Sequence, residues 1–599
     1  MNEIRERISA LRELMKQNGI SAYIIPSSDP HLGEYVPEYW QARKYFSGFT
    51  GSAGTLVVLQ ERSGLWTDGR YFIQAKKQLN GSGIELFRMG VNGVPSYQEF
   101  LFDTLQNGET AGFDGRMLSA ANVDSMKQKF AEKGIKIRSV DFITPLWKNR
   151  PLPPATEVFL HNEKYAGLSC SQKLEQVRAG LKKAGADCQI YCKLECIAWL
   201  FNIRASDIAY NPMAVAYAAV FRDSAVLFIN SSRLRPDVRE YLESNGVTLR
   251  DYSEIESYLQ QSNDKKTVLV DMDGINYALF RILQDNPSYT IKKGSDRVIE
   301  LKAVKNQTEI ENIRTAHIRD ACAMAEFCAD LEKRLQNGET VTECTVCDLL
   351  REARARQEHN LGESFATIAA YRENAAMMHY SPKPETCKTL DKSGLLLIDS
   401  GGQYLEGTTD ITRTFALGPL TQEEKKHYTW VLKAHIALAS AVFLEGSTGG
   451  NLDMISRGQV QKHGIDYRCG TGHGVGMFGG VHEGPQSIRP QNDVVLRRGM
   501  IVTNEPGIYE EGKHGIRTEN MMLITDAMEN EYGRFLRFEI LTCFPIDTAP
   551  ILPELLTKDE IAWLDEYHAR VYRILAPLLS GETLEWLRKK TRPLKRQVS

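Results

Sequence analysis

The sequence predicts a chain of α/β and α+β architecture, in which two related α/β domains precede a larger α+β domain. Three observations carry the prediction. A helix-then-strand pattern occurs twice, in "ISALRELMKQNGISAYIIP" (8–26) and "LEQVRAGLKKAGADCQIYC" (174–192). A proline-rich stretch, "PLWKNRPLPPATEVF" (145–159), separates the two. From about residue 304 a long amphipathic helix begins, and alternating, glycine-punctuated segments follow it. A chain of 599 residues also exceeds what one hydrophobic core organises and suggests about three domains.

Each repeated unit can be justified locally. Its helix carries apolar residues at i, i+3 and i+4 spacing, which lines one face. It then meets a glycine, Gly19 or Gly185, suited to the left-handed conformation at a helix C-terminus, and a short apolar strand follows. The stiff, non-helical composition of 145–159 reads as a linker and places the first boundary near residue 152. The second follows the strand-like "YTIKK", where "SDRVIELKAVKNQTEIENIRTAHIRDACAMAEF" opens a long helix. The expected domains are therefore 1–152, 153–303 and 304–599, the last ending in a helical extension from about residue 545. Within it, helices over 308–337 and 342–359 are expected to pack on an antiparallel sheet.

Composition excludes several function classes. With 73 basic and 76 acidic residues, a net charge of -3 and 42% hydrophobic residues, the chain has the make-up of an ordinary soluble globular protein. Nothing in it selects nucleic acid or an anionic membrane as partner. The charged, helix-periodic N-terminus does not read as a secretory signal, so a cytoplasmic location is expected. The richest apolar run, "MAVAYAAVF" (213–221), is far short of the roughly eighteen residues that span a bilayer. Without secretion, the N-x-S/T matches at Asn230 and Asn306 carry no weight.

Eleven cysteines, odd in number and scattered, argue for reduced thiols. Cys344 and Cys347 form a CxxC inside a helical pattern with no second CxxC nearby, which disfavours a zinc or redox centre. Cys188, Cys192 and Cys196 sit among apolar residues and read as buried structural thiols.

The chemistry is concentrated in the third domain. In "GLLLIDSGGQYLEGTTDITRTF" an apolar run ends at Asp399, and a threonine-rich strand carries Asp410 across a glycine turn. In "MIVTNEPGIYEEGKHGIRTENMMLI", Glu505 and Glu519 lie symmetrically about Gly512, so a second hairpin would pair them. Any one of these acids, taken singly, is more simply a solvated strand or turn residue. Four converging carboxylates would repel one another and raise their pKa values unless a cation neutralised them, and a divalent metal is the simplest remedy.

The stretch "CGTGHGVGMFGGVHEGP" (469–485) contains a GxGxxG at Gly474, Gly476 and Gly479. Its context is wrong for a dinucleotide: a polar segment precedes it and a helix breaker follows. The glycines are expected instead to bring backbone close to a metal cluster, with His473 as a ligand and His482 lining the cleft.

In this order, "LIDSGGQY", "TTDITRT", "GTGHGVG", "VHEGP", "NEPGIY" and "GIRTEN" resemble the metallopeptidases with a pita-bread fold. The whole chain resembles the long, three-domain cytosolic Xaa-Pro aminopeptidases (aminopeptidase P). The resemblance extends to the N-terminal "IIPSSDPHLGEYV", "FSGFTGSAGTLVV" and "LWTDGRYF" and to the C-terminal "LLTKDEIAWLDEYHARVYRILAP" and "TLEWLRKKTRPL". It implies two creatinase-like N-terminal α/β domains, a C-terminal pita-bread catalytic domain and a homodimer.

The resemblance also assigns roles. Asp399, Asp410, His473, Glu505 and Glu519 would hold two divalent cations, Asp410 and Glu519 bridging both, Asp399 on one, His473 and Glu505 on the other. Mostly oxygen ligands favour a hard cation, and Mn2+ is the first choice. Two such metals, roughly 3.5 to 4 Å apart, would share a water, lower its pKa and present hydroxide to the scissile carbonyl. Glu505 would exchange a proton with that water. His379 and His482 would contact substrate, stabilising the oxyanion or assisting proton transfer, and Arg70 would bind the peptide, unless it is simply paired with Asp68.

The implied reaction is release of the N-terminal residue from peptides with proline second. The Xaa-Pro bond lacks an N–H and has a fixed φ, so peptidases that bind by strand pairing handle it poorly. The other readings are a prolidase-like dipeptidase, a general aminopeptidase, and an inactive pita-bread binding module, which the intact set of five ligands disfavours. One departure from the resemblance is visible: many cytosolic relatives are expected to carry a histidine four residues before the metal histidine, where this chain has Cys469. Cleft polarity, proline-ring contacts or pH dependence is then expected to differ with the metal set untouched, or a thiol beside the metals to change metal preference or oxidation sensitivity.

Overall fold

The computed structural model describes residues 2 to 594; the end of the basic "RKKTRPLKRQ" tail, expected to be solvated, lies outside the described residues. The chain forms two compact units. One comprises the chain up to Glu163 with Leu168–Val298, the other Lys164–Gly167 with the chain from Ile299 on.

The first unit contains the duplication. One six-stranded sheet has the spatial order Ile84–Arg88, Ser63–Thr67, Thr55–Leu59, Ala22–Pro26, Thr110–Phe113, Lys136–Ser139. The other runs Val247–Arg250, Ala225–Phe228, Tyr217–Phe221, Cys188–Tyr191, Lys266–Val270, Tyr289–Lys293, and every neighbouring pair has the same sense, antiparallel or parallel, as its counterpart.

The helices that lead into the two equivalent strands end alike. Helix Asn2–Gln17 buries Ile4, Ile8, Leu11 and Met15, and helix Cys170–Lys183 buries Leu174, Val177 and Leu181 among others. After each, the glycine takes positive φ (65° at Gly19, 61° at Gly185), and the next amide reaches back five residues, Ile20 N to Met15 O and Ala186 N to Leu181 O. This double closure satisfies carbonyls that the helix end would orphan. Cys188, Cys192 and Cys196 are buried, as their apolar setting implies.

In the second unit the short helix Arg297–Ala303 is followed by the long helix Gln307–Gln336, whose N-terminus is closed by a reciprocal Asn306–Glu309 capping box. Helix Glu343–Ala355 ends four residues short of the expected 359, because His359 adopts φ of 60° and Asn360–Glu363 enters a strand. Antiparallel sheets follow: Ile368–Tyr371, Leu395–Ser400 and Ile411–Ala416 form one, and Val442–Leu444, Gly533–Ile540, Asn520–Asn530 and Ile501–Asn504 another. The C-terminal helices Lys558–Leu575 and Gly581–Lys590 place Leu564, Tyr567, Val571, Trp586 and Leu587 in the same core as the long first helix. His427 is buried, its Nδ1 2.9 Å from His514 Nε2. No helix among the described residues is long and apolar enough to cross a membrane.

Candidate metal centre

Two hairpins bring the acids together. Leu395–Ser400 pairs with Ile411–Ala416 so that Asp399 faces Thr412, and Asp410 immediately precedes the second strand. In the other, Asn504 pairs with Asn520 and Gly507 with Arg517, and both ladders are centred on Gly512. Glu505 and Glu519 therefore stand opposite each other in the gap between the ladders, with Gly512 at the tip in a positive-φ turn.

His473 joins them from the short strand Gly472–His473. Its Nε2 lies 3.4 Å from Asp410 Oδ2 and 3.4 Å from Glu505 Oε1. One ligand atom from each of Asp410, His473 and Glu519 lies within 4.8 Å of the others. The electrostatics are those of acids crowded around one imidazole. Burial pushes the Asp399 carboxyl up to about 6, with Asp410 and Glu505 adding and Arg517 opposing. Burial, Asp410, Glu505 and Asp399 hold Glu519 well above the usual carboxylate range. Burial alone would depress His473, but Asp410 and Glu505 outweigh it and push it up to about 9.

The donor set fits divalent cations on a structural criterion. Asp399 Oδ1 and Glu519 Oε1 are buried with no hydrogen-bond partner, although the second oxygen of each carboxylate is bonded. A buried carboxylate oxygen without a donor is costly, and coordination is the interaction that the surrounding acids can share.

A second layer of residues holds these ligands, and sequence reading had not singled it out. Arg517 donates from Nη2 to Asp399 Oδ2, from Nε to Thr412 Oγ1 (3.1 Å) and from Nη1 to the Tyr509 hydroxyl (2.6 Å). Thr412 in turn donates to Glu519 Oε2 at 2.7 Å. Arg413, fully buried, donates to the carbonyls of Thr412, Pro545 and Phe544 and to Asn520 Oδ1, tying both acid-bearing hairpins to the segment before the C-terminal helices. The visible signal was position: Arg517 stands two residues before Glu519, and Thr412 two after Asp410.

The glycines of 469–485 flank His473 and also make room for the Thr503 carbonyl and for Glu483. A Cβ on Gly472 would lie 1.9 Å from Thr503 O, and one on Gly474 2.2 Å from Glu483 O. Glu483 is paired with the buried Lys302 ammonium at 2.8 Å. The packing sets His473, whose amide donates to Thr503 Oγ1, and stacks His482 edge-on against it with ring centroids 4.3 Å apart. His379 is half-buried beside Met378, whose carbonyl accepts from Arg517. Cys469 is half-buried, and its carbonyl accepts from Arg457. In the first unit, Arg70 is held by Asp68 through two 2.8 Å hydrogen bonds, one to each carboxylate oxygen.

Hairpin-borne acids, a histidine and two preceding α/β sheets define a metallopeptidase of known class. Residues 311–526 match Metallopeptidase family M24, 534–594 the C-terminal region of peptidase M24, and 7–144 and 149–309 the Creatinase/Prolidase N-terminal domain. Aminopeptidase P2 of Arabidopsis thaliana is 40% identical over 630 residues, covering 99% of this chain and 89% of that protein. A probable Xaa-Pro aminopeptidase P of Laccaria bicolor is 40% identical over 607 residues, covering 98% and 93%. The crystal structure of X-prolyl aminopeptidase from Caenorhabditis elegans, described as a cytosolic enzyme with a di-nuclear active site, superposes with a TM-score of 0.95 at 32% identity, covering 99% of this chain and 100% of that one. The chain belongs to the aminopeptidase P family.

Proposed function

We propose that this protein is a metal-dependent aminopeptidase that releases the N-terminal residue from peptides with proline in the second position. The observation that carries the reading is the cluster of Asp410, His473 and Glu519, flanked by Asp399 and a half-buried Glu505, with two buried, partnerless carboxylate oxygens on Asp399 and Glu519. The names of its relatives supply the substrate class. These five residues would hold two divalent cations, Asp410 and Glu519 reaching both. Manganese is the proposed metal, since four of the five ligands are hard carboxylates.

When bound, such a pair supplies Lewis acidity and a water of lowered pKa. The chain's own residues do the rest. Arg517 and Thr412 fix the second oxygens of Asp399 and Glu519, so each acid presents one defined oxygen to the site. Glu505, with Oε1 near His473 Nε2, is the group proposed to take and return the proton of the attacking water. His379 and His482 are proposed to steady the developing oxyanion, and Arg70 to bind the peptide.

The family matches are in line with the three proposed domains, 1–152, 153–303 and 304–599; a homodimer is proposed on the resemblance alone, and a cytoplasmic location from the relative described as cytosolic.

The test removes metal with a chelator, restores manganese, and follows release of the first residue from Arg-Pro-Pro beside Arg-Ala-Ala and Arg-Pro. Manganese-dependent cleavage confined to Arg-Pro-Pro is the expected result. Cleavage of Arg-Pro alone would make the protein a dipeptidase, and cleavage of Arg-Ala-Ala at equal rate would remove the proline requirement.

A further inference from the structure

The CxxC of 344–347 takes no part in the metal centre, and the structure splits it. Cys347 is buried, and its thiol points to the Thr367 carbonyl at 3.6 Å. Of the eleven cysteines Cys344, Cys387 and Cys469 are half-exposed, and the Cys344 thiol neighbours that of Cys387.

Backbone pairing accounts for the meeting. Leu390 N donates to Val341 O (2.8 Å), Glu343 N donates to Lys388 O (2.9 Å), and Thr342 and Thr389 form the bridge between. One step further in this antiparallel register, Cys344 falls opposite Cys387, just as helix Glu343–Ala355 begins. A disulfide asks for Cα atoms roughly 4.4 to 6.8 Å apart, and the backbone bridge two residues away holds the two segments side by side.

We propose that Cys344 and Cys387 are a dithiol modification site that closes to an intramolecular disulfide by exchange with a low-molecular-mass disulfide such as oxidised glutathione. The Cys387 thiolate attacks one glutathione sulfur, the S–S bond breaks, and one glutathione thiolate leaves. Cys344 then gives up its proton and attacks Cys387 Sγ, forming the protein disulfide and expelling the second glutathione thiolate. Two protein thiols are oxidised, one glutathione disulfide is reduced to two thiols, and the two protons released by the protein go to the leaving thiolates. Burial and the neighbouring Cys387 push the Cys344 thiol up to about 12, and the exposed Cys387 sulfur is the one that a glutathione disulfide reaches first. Once Cys387 is tied up as the mixed disulfide it no longer carries charge, and that part of the opposition to Cys344 ionisation is gone.

The bond would staple a segment that already converges on Glu343. This buried carboxylate accepts from Tyr371 N (2.7 Å), the Tyr380 hydroxyl (2.8 Å), Lys388 N (2.8 Å) and Asn374 Nδ2. Tyr380 is the residue after His379, so the staple lies on the segment that carries that histidine.

The test titrates the full-length protein with oxidised against reduced glutathione, alkylates the remaining thiols and maps the peptides by mass spectrometry. The expected result is loss of two of the eleven alkylatable thiols, a single linked peptide joining Cys344 to Cys387, and full return with dithiothreitol. In Cys344→Ser a glutathione adduct should persist on Cys387. Free alkylation of both cysteines at saturating oxidised glutathione would overturn the proposal, as would separate adducts with no link, or a link through Cys347. The readout is chemical, so a failure here is distinct from a failure of the peptidase reading. If a serine variant misfolds, the peptide map of the unaltered protein decides alone.

Discussion

Arg517 donates to one oxygen of Asp399 across 118 residues of sequence and leaves the other oxygen without a hydrogen-bond partner. The arginine thus orients a candidate metal ligand and opposes the rise that burial imposes on its carboxyl. Its own guanidinium pKa is raised, because Tyr509, Asp399, Glu505 and Glu519 outweigh burial.

Replacing that arginine should therefore weaken metal binding before it affects the fold. Lysine cannot reach Asp399, Thr412 and Tyr509 together, because it offers a single ammonium in place of a planar fork. Arg517→Lys is expected to lower manganese affinity about 10- to 100-fold. Metal titration would check it, and an unchanged affinity would refute the supporting role.

Asp399→Ala removes a ligand outright and also leaves Arg517 buried without its carboxylate. The expected outcome is loss of one of two metals per chain by elemental analysis, with kcat/KM on Arg-Pro-Pro down by about 1,000-fold or more, since proton and charge chemistry both depend on the pair. Retention of two metals would remove Asp399 from the site.

Gly472→Ala tests the backbone behind His473. The added methyl would sit 1.9 Å from the Thr503 carbonyl, which is main chain and cannot swing away. Destabilisation of about 1 to 3 kcal/mol is expected from overpacking, with weakened metal retention because Thr503 also receives the His473 amide. Thermal unfolding and metal content measure the two effects separately.

In the first unit, His31 should give a pH signature. Its ring lies buried between the Cys192 carbonyl (2.9 Å) and the Tyr252 hydroxyl (3.0 Å), and burial lowers it from 6.5 to about 4. A group depressed in the fold contributes stability above its unfolded pKa and loses it as pH falls through the folded one. The window is thus pH 6.5 down to about 4, and about 3 kcal/mol is at stake. Asp29, pushed up to about 6 by burial, acts in the opposite sense, so the comparison must be with His31→Gln. Stability of the unaltered protein should fall more steeply than that of the variant across this window. Parallel curves in denaturant unfolding would contradict it.

Much of this was legible from local pattern. The helix-glycine-strand repeat marks both sheets because helix periodicity and a C-terminal glycine act over a few residues, and Gly19 and Gly185 adopt the positive φ such an ending needs. The symmetry of Glu505 and Glu519 about Gly512 was readable for the same reason: a hairpin pairs residues equidistant from its turn. The close neighbours of the glycines around His473, Thr503 and Glu483, are not legible in the sequence, because they come close only once the chain has folded. Helix Glu343–Ala355 was drawn too long because its pattern continues past the point where His359 turns the backbone into a strand.

By itself the sequence determined the order of domains, the acids and histidine of the candidate metal centre, and the family to which the chain belongs. Those depend on residue type and short-range spacing. Only the tertiary structure decided that Arg517 holds Asp399, that Thr412 holds Glu519, and that the partner of Cys344 is Cys387 and not Cys347. These are contacts between residues 43 to 118 positions apart in the chain, whose side-chain chemistry leaves the choice of partner open until packing brings one candidate within hydrogen-bond reach and excludes the rest.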